Sequence, residues 1–368
     1  MAKALKFILI NVFLVILLLG LLELFFFITV KYPGVHKVLP DIITKISRRV
    51  YFYYDMNSIQ YLPQCARYDP KLGYTLKPGK CVFSDYEFTT PYTVNSLGVR
   101  DTEEAFDSPQ VVVLGDSYAM GWGVQQNQTF AKIIEAKTGL RVLNAAVSSF
   151  GTAREMMLLK KVKRDRLQYL IIQYCNNDYE ENLSFLDHGN KLVVMSRKKY
   201  EDLVRENREI RRYYPGKYLW SAAKVISDNF NYFFKIGDYK KVEEKRYQLQ
   251  KDEAQVFIEV ILNSGVDLSV VQLMVFKANS FDPRESRFVN ALRRRVSNGH
   301  YPPFIKKMII MDAGKVLHEK TDIFLLNGHY NLRGNEKIAA MIIRHMHLPR
   351  LLGAGPHSSR PEPVKQRH

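Results

Sequence analysis

The strongest constraint on this chain lies at its N-terminus, where Phe7–Val30 reads FILINVFLVILLLGLLELFFFITV with a single charged residue, Glu23. A run of about twenty apolar residues matches the ~30 Å hydrocarbon thickness of a bilayer. A cleaved signal peptide would have a shorter apolar core and a small-residue cleavage site, so residues 1–30 are read as a transmembrane signal anchor. Glu23 falls in the second half of the span and is expected near an interface, where an ionised side chain costs less. Lys3 and Lys6 precede the span, whereas Lys31, Lys37, Lys45, Arg48 and Arg49 follow it. The positive-inside rule therefore does not by itself favour export of the C-terminal part.

The rest of the 368 residues, at 46% hydrophobic and 25% charged overall, can build a substantial core. At ~150 residues per domain the length allows two domains, but one set of motifs running from about residue 111 to 346 favours a single large one. The expected division is a connector over 31–105, a core domain over 106–350 with a charged helical insertion at about 190–252, and a disordered tail over 351–368. The tail carries no apolar periodicity. The insertion, with stretches such as KKYEDLVRENREIRRYYPGKYLW, has the mixed charge of exposed helices, either covering a site or forming a plain solvated face. A formal net charge of +17 favours acidic partners such as anionic lipid, acidic polysaccharide or nucleic acid, or only keeps the protein soluble near an anionic membrane. No zinc-finger spacing, RNA-binding signature or compact basic helix points to nucleic acid, and no such partner is expected. Three cysteines exclude a disulfide scaffold. Cys65 and Cys81 flank a turn-rich stretch and can pair outside the cytosol, while Cys175 sits in an apolar run and reads as a buried free thiol.

Between connector and tail, short β-branched runs alternate with helical segments. Val111–Leu114, Arg141–Asn144 and Leu170–Tyr174 read as strands, and Val266–Phe276 contains a fourth. Thr129–Lys137 reads as a helix stopped by Gly139. Such alternation implies a parallel sheet with helices on both faces, and in such sheets chemistry sits beyond the carboxyl ends of the strands. Four motifs are expected there. In VVVLGDSYAMGWG, Ser117 follows a strand and a sharp turn at Gly115, near a helix N-terminus that favours developing negative charge; a helix cap would use the same residues. In LNAAVSSFGTAREM, small residues let a backbone N–H approach a substrate oxygen. In LIIQYCNNDYEEN, an Asn amide can donate to an oxyanion, or can merely cap a helix. In DIFLLNGHYNLRGNEKIAAMII, His329 follows an apolar run, expected to be a strand, and precedes an amphipathic helix. The same NGHY recurs at Asn298–Tyr301, but Pro302 and Pro303 follow it, which ranks His300 below His329.

The order of these motifs resembles the SGNH (GDSL-like) hydrolase family over about residues 95–346, and NSLGVRD followed by GDSYAMGWGV looks like its membrane-linked bacterial branch. The resemblance implies a three-layer α/β/α sandwich with a parallel, flavodoxin-like sheet behind one transmembrane helix. It implies Ser117 as nucleophile and oxyanion donor through its own N–H, Asn177 as the side-chain oxyanion donor and His329 as general base, with no metal or organic cofactor. The backbone donor of the second motif aligns with Ser149, or with Gly151 if the loop is shifted. Where the family has an Asp before the His, this chain has Asn327 and Leu326, so Asn327 is expected to orient the imidazole without giving it a charge; Asp322 is the nearest upstream acid. The activity implied is that of a serine esterase or O-acyltransferase on an acylated, possibly O-acetylated, envelope glycan or on a lipid. The alternative is a degenerate domain that binds glycan or a partner protein. A short N-terminal tail followed by one long span resembles exported bacterial enzymes, which places the domain on the periplasmic face.

Overall fold

A computed structural model of the chain describes residues 2–230, 233, 252–278 and 286–346. The expected tail over 351–368, and 231–232 and 234–251 of the expected insertion, lie outside the described residues.

The fold is α/β. Strands β5 (Val111–Leu114), β6 (Val142–Asn144), β7 (Tyr169–Tyr174), β8 (Gln272–Lys277) and β9 (Ile309–Met311) form a parallel sheet in the order β6-β5-β7-β8-β9. Successive side chains on a strand point to opposite faces, and here both faces are buried. Val112, Leu114, Leu170, Ile172, Leu273 and Val275 enter one core with helices α6 (Thr152–Leu159), α10 (Glu253–Asn263) and α11 (Ser286–Asn298). Val111, Val113, Ile171, Met274 and Phe276 enter the other, with α5 (Phe130–Thr138) and the last helix, Leu332–His345. This double burial is why the strands read as continuous apolar runs, and it gives the three layers.

The segment over 31–105 folds as tightly as the rest. Helix α2 (Asp41–Tyr54) is followed by two antiparallel hairpins, β1 (Ala66–Asp69) with β2 (Gly73–Leu76), and β3 (Gly79–Ser84) with β4 (Thr89–Val94). Cys65 and Cys81 are joined by a disulfide; a loop this short contributes ~3 kcal/mol in the chain-entropy model. Cys175 is a free thiol, half-buried against the core just past the end of β7.

The N-terminal helix α1 (Ala2–Lys31) is the one helix among those described that is long and apolar enough to cross a membrane. Its large side chains from Leu5 to Leu22 are exposed, whereas Phe26, Thr29 and Val30 are buried in a cluster with α2 and α9 (Lys217–Asp228). Glu23 accepts a hydrogen bond from the Leu219 N–H at 2.7 Å, which satisfies one of the free donors of the first turn of α9. The charged segment is thus only partly a solvated face. Helix α8 (Arg197–Glu209) is largely exposed, but α9 buries Tyr218, Ala222 and Val225, and Lys217 reaches the fully buried Asp55 at 2.6 Å. A run of mixed charge hides such a helix, because its apolar stripe is only one face wide.

Arg100 of NSLGVRD shows how the connector supports the sheet. It is 1% exposed, lies over the Tyr92 ring, and donates to the carbonyls of Met120, Gly121 and Val124 at 3.1, 2.5 and 2.7 Å. Arg100→Ala strands three carbonyls and should cost at least about 3 kcal/mol. A denaturant or thermal unfolding curve checks this; a midpoint within error of the parent would contradict it.

Candidate active site

Ser117 opens a helix of four residues, α4 (Ser117–Met120), directly beyond β5. So short a helix cannot hold itself, and its position is set by its surroundings. The Asp116 side chain accepts from the Tyr118 N–H at 3.0 Å, and Gln173 Oε1 on β7 accepts from the N–H groups of Asp116 and Ala119 at 3.2 and 3.0 Å. Asn144, at the end of β6, donates to the Ala119 carbonyl at 2.9 Å, and Arg100 holds the far end. Gly115 has φ +153, and a Cβ there would come within 2.6 Å of both Ala119 Cβ and Gln173 Oε1; the turn admits no side chain.

Ser117 Oγ lies 2.7 Å from His329 Nε2. The imidazole is clamped between the rings of Tyr118 and Trp122, each with its centroid 4.6 Å away. Both clamp residues belong to the Ser117 motif, although its spacing does not mark them as ring partners of His329. His329 itself is reached differently from the expectation. The run before it is not a strand: Ile323 makes one isolated bridge to Tyr330, Phe324 N–H donates to the His329 carbonyl, and the Gly328 N–H donates back to Phe324 across a turn with φ +81 at Gly328. The run is apolar because Ile323 packs into the core under the sheet and Leu326 into the cluster around α1 and α2. Asp322 ends the short helix Glu319–Asp322, where it pairs with Lys337 and Arg333 and accepts from the His318 N–H. It is engaged there and has no contact with His329.

The second nitrogen of the imidazole, Nδ1, is hydrogen-bonded to Asn327 Oδ1. Asn327 is in turn gripped by the β3–β4 hairpin. Glu87 Oε2 accepts from the backbone N–H groups of Leu326 and Asn327 at 2.9 and 2.6 Å. Asn327 Nδ2 donates to the Tyr51 hydroxyl at 2.8 Å and to Asp85 Oδ2 at 3.4 Å, and Tyr51 donates to the same carboxylate oxygen. The other Asp85 oxygen takes Arg211 and the Tyr86 N–H. Tyr51, Asp85, Glu87 and Arg211 come from three segments far from any motif, and nothing in the sequence singles them out.

The remaining candidates lie beyond neighbouring strands, at the point where the strand order reverses. Ser149 follows β6; it is exposed, takes φ +58, and its N–H has no acceptor among the described residues. The Gly151 N–H donates to Glu181 Oε1 at 3.1 Å, so of the two alternatives Ser149 has the uncommitted donor. The Ser117 N–H is likewise without an acceptor among the described residues. Asn177 leads α7 (Asp178–Asp187), exposed and with no side-chain cap bond, so its amide is not used as a helix cap. His300 is exposed past the end of α11 and has no part in this cluster.

The Ser117–His329 pair is buried, whereas Ser149 and Asn177 at its rim are exposed. Burial holds the His329 pKa down to about 3, opposed only by the bond to Asn327. Burial likewise pushes Asp116 up to about 6, and it raises the Cys175 thiol, with Asp116 and Asp178 adding to the rise. The imidazole is therefore neutral, and open to a proton from Ser117, over a wide pH range, although the same burial makes it a weaker base.

Searches against family models and against curated proteins return no match. Among solved structures, a carbohydrate esterase described as having an active site with divergent catalytic and non-catalytic binding functions is similar at 12% identity, over 66% of this chain and 70% of that one, with a TM-score of 0.32. A likeness so distant bears no weight here, and the site's own geometry must carry the chemistry.

The depressed His329 pKa has a definite sign. A histidine held neutral in the fold takes up a proton on unfolding, so its contribution to stability is complete above the unfolded value near 6.5 and is lost as pH falls toward the folded value. The rate of fluorophosphonate labelling at Ser117 should stay level from pH 8 down through the ordinary histidine range. An inflection near pH 6.5 would show that the imidazole titrates as an exposed one.

Proposed function

We propose that this chain is a membrane-anchored serine esterase or O-acyltransferase of SGNH type. The observation that carries the reading is the contact of Ser117 Oγ with His329 Nε2 at 2.7 Å, between residues 212 positions apart. The imidazole takes the hydroxyl proton as Oγ attacks the carbonyl carbon of an ester. The resulting oxyanion is held by the N–H groups of Ser117 and Ser149 and by the Asn177 amide, donors without an acceptor among the described residues. Collapse expels the alcohol, which takes the proton from His329 and leaves an acyl group on Ser117. Water then releases the acid, or a sugar hydroxyl accepts the acyl group, with His329 again the base.

The substrate class is an acylated, in the first instance O-acetylated, envelope glycan or lipid. Helix α1 is read as a single-pass span with the catalytic domain outside the cytosol. The Cys65–Cys81 disulfide supports that side, since such bonds persist in oxidising compartments.

A second reading, a domain that binds acylated glycan without turnover, is favoured by the Asn at position 327, because an amide supplies no charge to an imidazolium. Ser117→Ala separates the two. It should abolish fluorophosphonate labelling and p-nitrophenyl acetate hydrolysis while leaving the thermal midpoint nearly unchanged; undiminished hydrolysis in the variant rules out the esterase reading.

A further inference from the structure

We infer that Asp85 supplies, one residue further out, the carboxylate that the site lacks beside His329, with Asn327 as the link; the inference rests on the Ser117–His329 reading above. An Asn amide placed between an imidazole and a carboxylate has two orientations that differ by a half-turn. With Nδ2 toward Asp85, it donates to a carboxylate oxygen and to the Tyr51 hydroxyl, and its Oδ1 accepts from imidazole Nδ1. Reversed, Oδ1 would face the carboxylate 3.4 Å away, and Nδ2 would force the imidazole proton onto Nε2, the nitrogen that must accept from Ser117. The charge on Asp85 therefore selects both the amide orientation and the imidazole tautomer. Asp85 can hold that charge although its side chain is 1% exposed, because Arg211 and the Tyr86 N–H meet its other oxygen. The groups facing Asp85 are Tyr51, Tyr86, Arg211 and Asn327, with Glu87 beyond Asn327. Asp85 is thus a positioning residue: it touches no reacting atom, and it acts through Asn327.

The test moves the charge. Asp85→Asn should lower kcat for p-nitrophenyl acetate by at least about 10-fold, a fraction of the ~10⁴ seen when a triad carboxylate itself becomes an amide, and should leave KM nearly unchanged. Asn327→Asp alone should also be impaired, since two carboxylates at that distance cannot both ionise. The double variant Asp85→Asn with Asn327→Asp places one carboxylate directly against Nδ1. It should recover the activity that each single change loses, and it should raise the pH below which the rate falls, because an anion against Nδ1 favours the imidazolium. A purely structural role for Asp85 predicts no such recovery, so a double variant that is folded and no better than either single one overturns the inference, as does a fully active Asp85→Asn. If Asp85→Asn fails to fold, Asn327→Asp and the double variant still decide. Wild-type protein in which Ser117 cannot be labelled would instead sink the esterase reading itself.

A different set of observations points to a lipid-facing surface. We infer that the N-terminal end of α9 and the loop before it lie in the headgroup region of the bilayer that α1 enters, a statement that rests on reading α1 as a span. The part of α1 clear of the protein, residues 5–22, is roughly 27 Å long at 1.5 Å per residue, close to the hydrocarbon thickness. The membrane boundary then falls at Glu23, where the Leu219 N–H is bound. At that level Phe27 meets Tyr213 and Tyr218 edge-on at 5.9 and 5.5 Å, and Tyr54 meets Trp220 at 5.8 Å. Tyr213, Tyr214 and Trp220 are each about half exposed, at 51, 52 and 54%. Rings with an apolar body and a polar edge concentrate at the interface. Arg212 and Lys224, each paired with a surface carboxylate, flank them. The occupant proposed is phospholipid, continuous with the belt around α1.

The chain contains two tryptophans, Trp122, which is 2% exposed, and Trp220. Full-length protein reconstituted in phosphatidylcholine–phosphatidylglycerol vesicles with brominated acyl chains should lose the Trp220 share of its emission. Trp220→Phe should show no quenching. Protein that floats with the vesicles but keeps its full emission overturns the surface and leaves the anchor standing. Protein that does not float overturns both.

Discussion

The hydrogen bond between Ser117 and His329 joins two parts of the chain that no local rule brings together, and each end depends on a separate frame. Ser117 sits on a helix too short to be stable alone, pinned by Gln173, Asn144 and Arg100 from three different segments. His329 sits on a tight turn in which Glu87 takes the N–H groups of Leu326 and Asn327. The sheet fixes the first frame, and the β3–β4 hairpin fixes the second. The rings of Tyr118 and Trp122 close the gap between them.

Buried charge links this site to the N-terminal helix. Asp55, fully buried, receives Lys31 from the end of α1 and Lys217 from the start of α9. Arg211, just before α9, reaches both Asp85 and the Asp55 carbonyl. An unpaired buried carboxylate is strongly unfavourable, so each of these segments is held where the others are. The result is one continuous path of ion pairs and hydrogen bonds from the end of α1 to Asn327.

Much of the fold was legible in the sequence because it rests on local patterns. The apolar runs at Val111–Leu114 and Leu170–Tyr174, the Thr129 cap with the Gly139 stop, and the long apolar run of α1 each reflect a period or a capping preference. The strand expected before His329 is absent and the charged stretch is solvated only in part, for one shared reason: apolar residues there, Leu326 and Tyr218 among them, face partners in a cluster built from distant segments.

The sequence by itself determined the parallel sheet and the apolar N-terminal helix, because strand burial and helix length are written along the chain, and the resemblance of its motif order to a known family singled out Ser117, Asn177, Asn327 and His329 as candidates. The tertiary structure alone decided which donors stay free, with the Gly151 N–H taken by Glu181 and that of Ser149 without an acceptor among the described residues. It alone decided that a carboxylate stands behind Asn327. Asp85 lies 242 residues from Asn327, in a hairpin turn whose sequence carries no mark of that contact, and only the packing of α2, the hairpin and the His329 turn brings its charge there.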